Sequence, residues 1–304
     1  MEPDFSPPPD TSVPRHFWAH ETEQFRVKVR AFSKLPPEIT VQRISFERDL
    51  ETATRAYENG YTNATTRRGQ RVKGSSLCDA ESIERSQRRA KTAVRLQATE
   101  LAPTALVTFT TRETMSVDDL LGCWQRFVRL MKQAGFGFEY VCVPERHPKN
   151  PEHFHLHAAY RGRTPFGVMR RLWHIALEAR HGRRITKILR GGDAPGNIDV
   201  QPIKSGSHVK RCRKIARYIS KYITKDLIAE FNRRRYWPSK GIDLQDARVY
   251  WLDSLSMKDA IREACLMLGE WDEMINATEQ KFFNPSDRVA WCAIEPDKSP
   301  PPPF

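Results

Sequence analysis

Between residues 103 and 227 the apolar positions fall into short runs whose spacing switches between two and three-to-four residues. "ALVTFTT" (105–111) follows Pro103 and is rich in β-branched and aromatic residues, which predicts a strand. "SVDDLLGCWQRFVRLMKQAGFG" (116–137) opens on a serine and two aspartates. It carries Leu120, Leu121, Trp124, Phe127, Val128 and Met131 at helical spacing and ends at Gly135, so a helix with a Ser cap is expected. "FEYVCVPE" (138–145) and "HFHLHAAY" (153–160) read as two strands of an antiparallel hairpin, joined by a loop of about eight residues through "RHPKNPE". A second helix is expected over "TPFGVMRRLWHIALEARHG", with Thr164 as cap, Pro165 at its first position and Gly182 as terminator. "GNIDVQPIK" (196–204) predicts a short strand and "SHVKRCRKIARYISKYITKDL" (207–227) a strongly basic helix. The order β, α, β, β, α, β, α predicts an α+β fold of the ferredoxin-like or split βαβ kind, a single antiparallel sheet with helices against one face.

Outside this stretch the patterning weakens. "FRVKVRAF" is a strand candidate, and "ESIERSQRRAKTAVRLQ" has helical character after the polar, basic "TTRRGQRVKG". The expected organisation is a proline-rich tail (1–15), a basic, partly helical accessory region (16–102), the patterned domain (103–240), a C-terminal accessory region (241–294) and a second proline-rich tail (295–304).

Two stretches carry candidate chemistry. His153, His155 and His157 alternate along one strand, so they share a face while Phe154, Leu156 and Ala158 share the other. Neutral imidazoles one residue apart can converge on one ion, and Glu145, at the end of the partner strand, should be their neighbour. Two imidazoles and a carboxylate suit Mn²⁺ or Mg²⁺ acting on a phosphate oxygen. The plainer readings are a surface strand whose imidazoles face water and a solvated Glu145 paired with Arg146 or His147.

In "ARYISKYITKD" (216–226), Tyr218 and Tyr222 stand four apart on one helix face, with Lys214, Lys221 and Lys225 on or beside it. Cys212, Ile215, Ile219 and Ile223 form a separate stripe able to pack on a sheet. Phenols beside cations ionise more easily and can attack phosphorus, although a tyrosine pair at this spacing is also an ordinary packing feature.

Charge narrows the partner. Lys and Arg number 50 against 37 Asp and Glu, a formal net charge of +13, which points to a polyanion. Arg161 and Arg163 follow the histidine strand, Lys210, Arg211, Arg213 and Lys214 precede the first tyrosine, and Arg233, Arg234 and Arg235 follow the basic helix. Such clusters neutralise phosphates, and Trp173, Tyr236 and Trp237 are candidates for base stacking, Trp173 being better placed in a core. Six cysteines without a CxxC pair argue against a structural zinc site and a disulfide framework. No segment approaches the roughly 18 to 20 apolar residues of a membrane span, and no secretory leader is visible, so a soluble protein of the bacterial cytoplasm with no membrane partner is expected. The chain contains no phosphate-cradling GxxxxGK[ST] loop, so duplex unwinding is assigned to a partner.

Taken together, "LVTFTT" (106–111), "FHLH" (154–157) followed by "AAY", and "YISKYITKD" (218–226) resemble, in order, the three motifs of the HUH endonucleases, and in particular the rolling-circle replication initiators. The resemblance covers about residues 103–240. It implies a five-stranded antiparallel sheet on which His155, His157 and a third polar residue, Glu145 with His153 as alternate, hold a divalent metal. It also implies catalytic tyrosines at Tyr218 and Tyr222, each followed three residues later by a lysine, Lys221 and Lys225. The implied substrate is single-stranded DNA at a replication origin, nicked to a 5′-phosphotyrosyl link and a free 3′-hydroxyl, with a host helicase and DNA polymerase as partners. Relaxases and single-tyrosine transposases share this chemistry, but relaxases usually carry their histidines after the tyrosine. A non-enzymatic DNA-binding protein is the alternative of a different class.

Overall fold

The computed structural model describes residues 23–44, 80–147, 150–184, 193–201, 206–224, 235–266, 281–283 and 289–293. The proline-rich tails, "TTRRGQRVKG", Lys225, Arg233 and Arg234 lie outside them. The elements in chain order are β1 (Glu23–Arg30), β2 (Glu38–Arg43), α1 (Ala80–Leu101), β3 (Ala105–Thr111), α2 (Val117–Gln133), β4 (Glu139–His147), β5 (Asn150–Arg161), α3 (Phe166–Glu178), β6 (Gly196–Gln201), α4 (His208–Lys221), β7 (Trp237–Pro238), β8 (Arg248–Ser254), α5 (Met257–Leu266), β9 (Lys281–Phe283) and β10 (Val289–Ala293). They group into two compact units. The sequence pattern separates 16–102 and 241–294 as two accessory regions; in the structure strands from both share one sheet, and α1 belongs to the unit built on β3–β7.

That larger unit is an α+β sheet in the order β6-β3-β5-β4-β7, antiparallel at every pairing. Its strands are buried on both faces because helices cover both, not one face as the sequence pattern suggested. On one side α2 and α3 pack on Val107, Phe109, Leu156 and Ala158. On the other, α1 and α4 pack on Leu106, Val141, Val143 and Ala159. Phe109 sits at the centre of the first layer, its ring edge-to-face with Trp124 at 5.0 Å, Phe127 at 5.1 Å and Trp173 at 5.3 Å. Such pairs contribute about 0.5–1.5 kcal/mol each beyond their burial. Trp173 is fully buried, and its indole N–H donates to the Thr110 carbonyl at 2.9 Å, so it is core and not a base-stacking residue.

The ends of the elements follow local chemistry. Ser116 caps α2, its hydroxyl accepting from the Asp119 N–H at 3.1 Å, while Asp118 and Asp119 complement the helix dipole. Ser207 caps α4 in the same way. Thr164 does not cap α3: its backbone N–H donates to the Tyr160 hydroxyl and its own hydroxyl pairs with the same oxygen at 2.9 Å, which leaves Pro165 at the cap position. The chain then leaves through a short 3₁₀ turn and Gly182, at φ +69°. Gly196 starts β6 where a Cβ would collide with the Thr110 carbonyl and crowd Leu177 and Trp173. The β4–β5 ladder runs to a His147–Asn150 pair, past a register shift at Arg146 and His147, so the loop is much shorter than eight residues. Polar side chains at a hairpin tip do not stop the backbone from pairing.

In the smaller unit the sheet order is β8-β1-β2-β10-β9, with α5 against Phe25, Val27, Ile39 and Val41. Among the described residues no helix is long and apolar enough to cross a membrane. Cys123, Cys142, Cys212 and Cys265 are free thiols.

Candidate metal centre and tyrosine pair

Register builds the site. In the β4–β5 pair Glu145 stands opposite His155 and Val143 opposite His157, while Thr108 of β3 stands opposite His157 from the other side. Alternation then turns Glu145, His155 and His157 to the α1/α4 face. Both imidazoles donate Nε2–H to the same carboxylate oxygen, Glu145 Oε2, from His155 at 2.9 Å and His157 at 2.7 Å. All three residues are buried, and their prospective ligand atoms lie within 4.8 Å of one another. The two rings meet edge to face at 4.7 Å.

Thr108 fixes the orientation of His157. Its hydroxyl lies 3.1 Å from His157 Nδ1, the atom left over once Nε2 faces Glu145. The threonine-rich strand is visible in the sequence, but this role is not; the signal was Thr108 alternating with the core residues Val107 and Phe109. Burial works to raise the Glu145 carboxyl pKa, and the hydrogen bonds and charge of His155 and His157 overcome it, drawing the group down to about 2. A carboxylate that stays ionised beside two imidazoles is a donor set that can hold one divalent ion.

His153, the alternate ligand, is not in this group. Its ring lies between the hydroxyls of Thr111 at 3.3 Å and Thr114 at 3.5 Å, with His147 6.2 Å away between ring centroids. Glu145 is likewise not the solvated carboxylate of the plainer reading.

The tyrosines divide between core and surface. Helix α4 ends at Lys221, and Tyr222 begins a 3₁₀ turn, shorter than the helix expected to residue 227. The Tyr222 ring is buried and lies flat on His157, 3.7 Å between centroids and 4° between planes. Tyr218 is 42% exposed, its ring edge-on to Tyr222 at 5.4 Å. Burial, then a hydrogen bond and charge from Tyr218, then the Glu145 charge, push the Tyr222 phenol pKa well above its ordinary range. The easier ionisation expected from nearby lysines does not occur there, because desolvation and the neighbouring carboxylate outweigh them. Cys212 is no competing nucleophile: burial pushes its thiol up to about 11.

The cations also sort. Lys214 and Lys221 are exposed on α4, as is Arg217, which the sequence pattern did not single out. Arg163 is exposed, while Lys210, Arg211 and Arg235 are half-buried. The Arg211 guanidinium donates to the Gly206 carbonyl at 2.7 Å, and Arg161 reaches the Leu101 carbonyl and Glu139. Arg213 is 3% exposed and therefore belongs to the core under α4, not to a phosphate-facing surface. Tyr236 packs half-buried against the α1/α4 layer and Trp237 against the α2/α3 layer.

Fold and site together define an α+β protein with a buried His–His–carboxylate group able to hold a divalent ion, overlaid by a tyrosine. Residues 104–227, which contain the whole of that arrangement, match the model of a family described as replication-associated proteins of the ORF2 type. The match supports a Rep-type replication initiator, in keeping with the motifs, and marks the chain as replication-associated. Comparison with curated proteins and with solved structures gave no match.

Proposed function

We propose that the chain is a rolling-circle replication initiator, a site-specific nickase and strand transferase acting on single-stranded origin DNA through a tyrosine. The observation that carries this reading is Tyr222 stacked on His157 above the Glu145–His155–His157 group, inside the segment that matches a replication-associated family. Glu145, His155 and His157 would hold Mg²⁺ or Mn²⁺, which when bound supplies charge neutralisation and polarisation of the scissile phosphate. The tyrosine oxygen attacks phosphorus; the new O–P bond forms as the bond to the DNA 3′-oxygen breaks, and that oxygen leaves as a free 3′-hydroxyl. The phenol proton passes to a neighbouring base as the attack proceeds. The hydrogen bond between the Tyr218 and Tyr222 hydroxyls supports an exchange of roles, since a phosphate beside one oxygen is within reach of the other. One tyrosine can thus cut while the other holds the previous strand, and reversal of the same step rejoins it.

Exposed Lys214, Lys221 and Arg163 offer phosphate contacts that position the strand without reading its bases. A host polymerase would extend the 3′-hydroxyl and a host helicase would open the duplex. The histidines precede the tyrosines, which favours initiation over the relaxase reading.

The test incubates the protein with labelled single-stranded origin DNA and Mn²⁺ and looks for an adduct that survives denaturation. The adduct should appear in wild type and vanish when Tyr218→Phe and Tyr222→Phe are combined. An adduct that persists in the double variant removes both tyrosines as nucleophiles; binding without any adduct in wild type leaves a non-enzymatic DNA-binding protein.

A further inference from the structure

The smaller unit carries a second surface that the nicking site does not use. In β1 the residues alternate, Phe25, Val27 and Val29 turning to the helix α5 side and Gln24, Arg26, Lys28 and Arg30 to the other face. Register extends that other face across the sheet. Arg26 stands opposite Trp251 of β8 and Gln42 of β2. Lys28 stands opposite Val249 and Thr40, and Thr40 in turn opposite Trp291 of β10. The result is a pair of cations on the central strands with an indole on the strand to either side. Arg26, Trp251, Thr40, Gln42 and Trp291 are half-buried and Lys28 is exposed. Acidic groups are few: Glu38, opposite Arg30, is buried and accepts from the Trp291 indole at 3.3 Å, and Asp253 lies opposite Gln24.

Half-buried tryptophans flanking cations on an open antiparallel face match the requirements of an unpaired nucleic-acid strand. Indoles stack on bases of any sequence and ammonium or guanidinium groups meet the phosphates between them. At strand spacings of about 4.8 Å, Trp251 and Trp291 stand roughly 15 Å apart, a span of two to three extended nucleotides. A duplex does not fit, because its bases are stacked inside and offer no free ring face.

We propose that this face, formed by Arg26, Lys28, Trp251 and Trp291, is a sequence-tolerant binding platform for single-stranded DNA. The choice of DNA over RNA rests on the proposed function; the strandedness and chemistry rest on the face itself.

The test uses the full-length chain in EDTA, so that no cleavage occurs, and fluorescence anisotropy of labelled oligo-dT and oligo-rU. Trp251→Ala should weaken oligo-dT binding about tenfold and Trp251→Phe much less, because a phenyl ring still stacks. Arg26→Gln with Lys28→Gln should reduce the salt slope of binding by about two. Circular dichroism melts identify any variant that fails to fold, and the Phe and Gln substitutions keep the sheet pattern. Unchanged dT affinity and salt slope in folded variants overturn the platform. So does a change of oligomeric state in sedimentation without loss of DNA binding, which makes the face a protein interface, or a clear preference for rU. His157→Ala should leave dT binding unaffected. Trp251-dependent binding by a wild-type protein that forms no tyrosine adduct therefore sinks the nickase reading and leaves this one standing.

Discussion

The Tyr222 ring lies parallel to His157, 3.7 Å from it, so the residue that carries a candidate nucleophile also walls the candidate metal ligand. Ring and hydroxyl have separable roles. Tyr222→Phe keeps the stack and loses one hydrogen bond, an expected cost of about 1 kcal/mol. Tyr222→Ala leaves a cavity beside His157, at an expected cost of about 3–5 kcal/mol. Urea denaturation distinguishes them, and equal losses for the two variants would mean that the ring does not support His157.

Metal binding should be readable as stability. An ion held by the native group at about 100 times its dissociation constant adds about 2.7 kcal/mol. For a chain of this size that is a rise in melting temperature of roughly 5 to 10 °C with Mn²⁺. Glu145→Ala, His155→Ala and His157→Ala should abolish the rise, and His153→Ala should keep it, since His153 is held by Thr111 and Thr114 instead. Thr108→Val removes the group that orients His157 and should lower Mn²⁺ affinity about tenfold. A thermal shift that survives His157→Ala would place the ion elsewhere.

Much of this site was legible because a strand has period two. His155, His157 and Glu145 could be put on one face from alternation and a hairpin alone, and β3, β4, β5 and β6 were marked by β-branched runs between turn residues. Hydrophobic period cannot show what covers each face: Leu106 and Ala159 are as apolar as Val107 and Ala158, and the second helical layer followed only from the packing of α1 and α4. Nor does helical spacing show where a helix ends against the sheet, which is what buries Tyr222 and exposes Tyr218. The pairing of β1 and β2 with β8 and β10 joins segments some two hundred residues apart, and no local pattern records it.

Acid should destabilise the metal-free protein in two stages. His174 is fully buried, its Nε2–H donating to the Gly196 carbonyl at 2.9 Å, and burial lowers its pKa. The unfolded chain takes up that proton near pH 6.5 and the native state does not, so stability present above 6.5 falls as the pH drops below it. The Glu145 carboxyl titrates near 4.5 when unfolded and about 2 when folded, so its contribution is complete above 4.5 and is lost as the pH falls towards 2. Each group contributes at most about 1.4 kcal/mol per pH unit. Urea midpoints measured from pH 8 to pH 3 should show the first decline below 6.5 and a steeper one below 4.5. In Glu145→Gln the second step should be missing.

Arg213 and Lys214 are adjacent in sequence and opposite in placement, the first 3% exposed and the second on the surface of α4. A buried arginine contributes through its packed stem as well as its charge, so Arg213→Ala should cost about 1–3 kcal/mol in stability. Lys214→Ala should leave the melting curve within about 0.5 kcal/mol of wild type. If Lys214 meets a phosphate, the same substitution should weaken single-stranded DNA binding and lower its salt slope by about one. Melts and anisotropy titrations at rising KCl test both residues together. A normal melt with a reduced salt slope for Arg213→Ala would turn its guanidinium outward to the DNA, against the burial seen here.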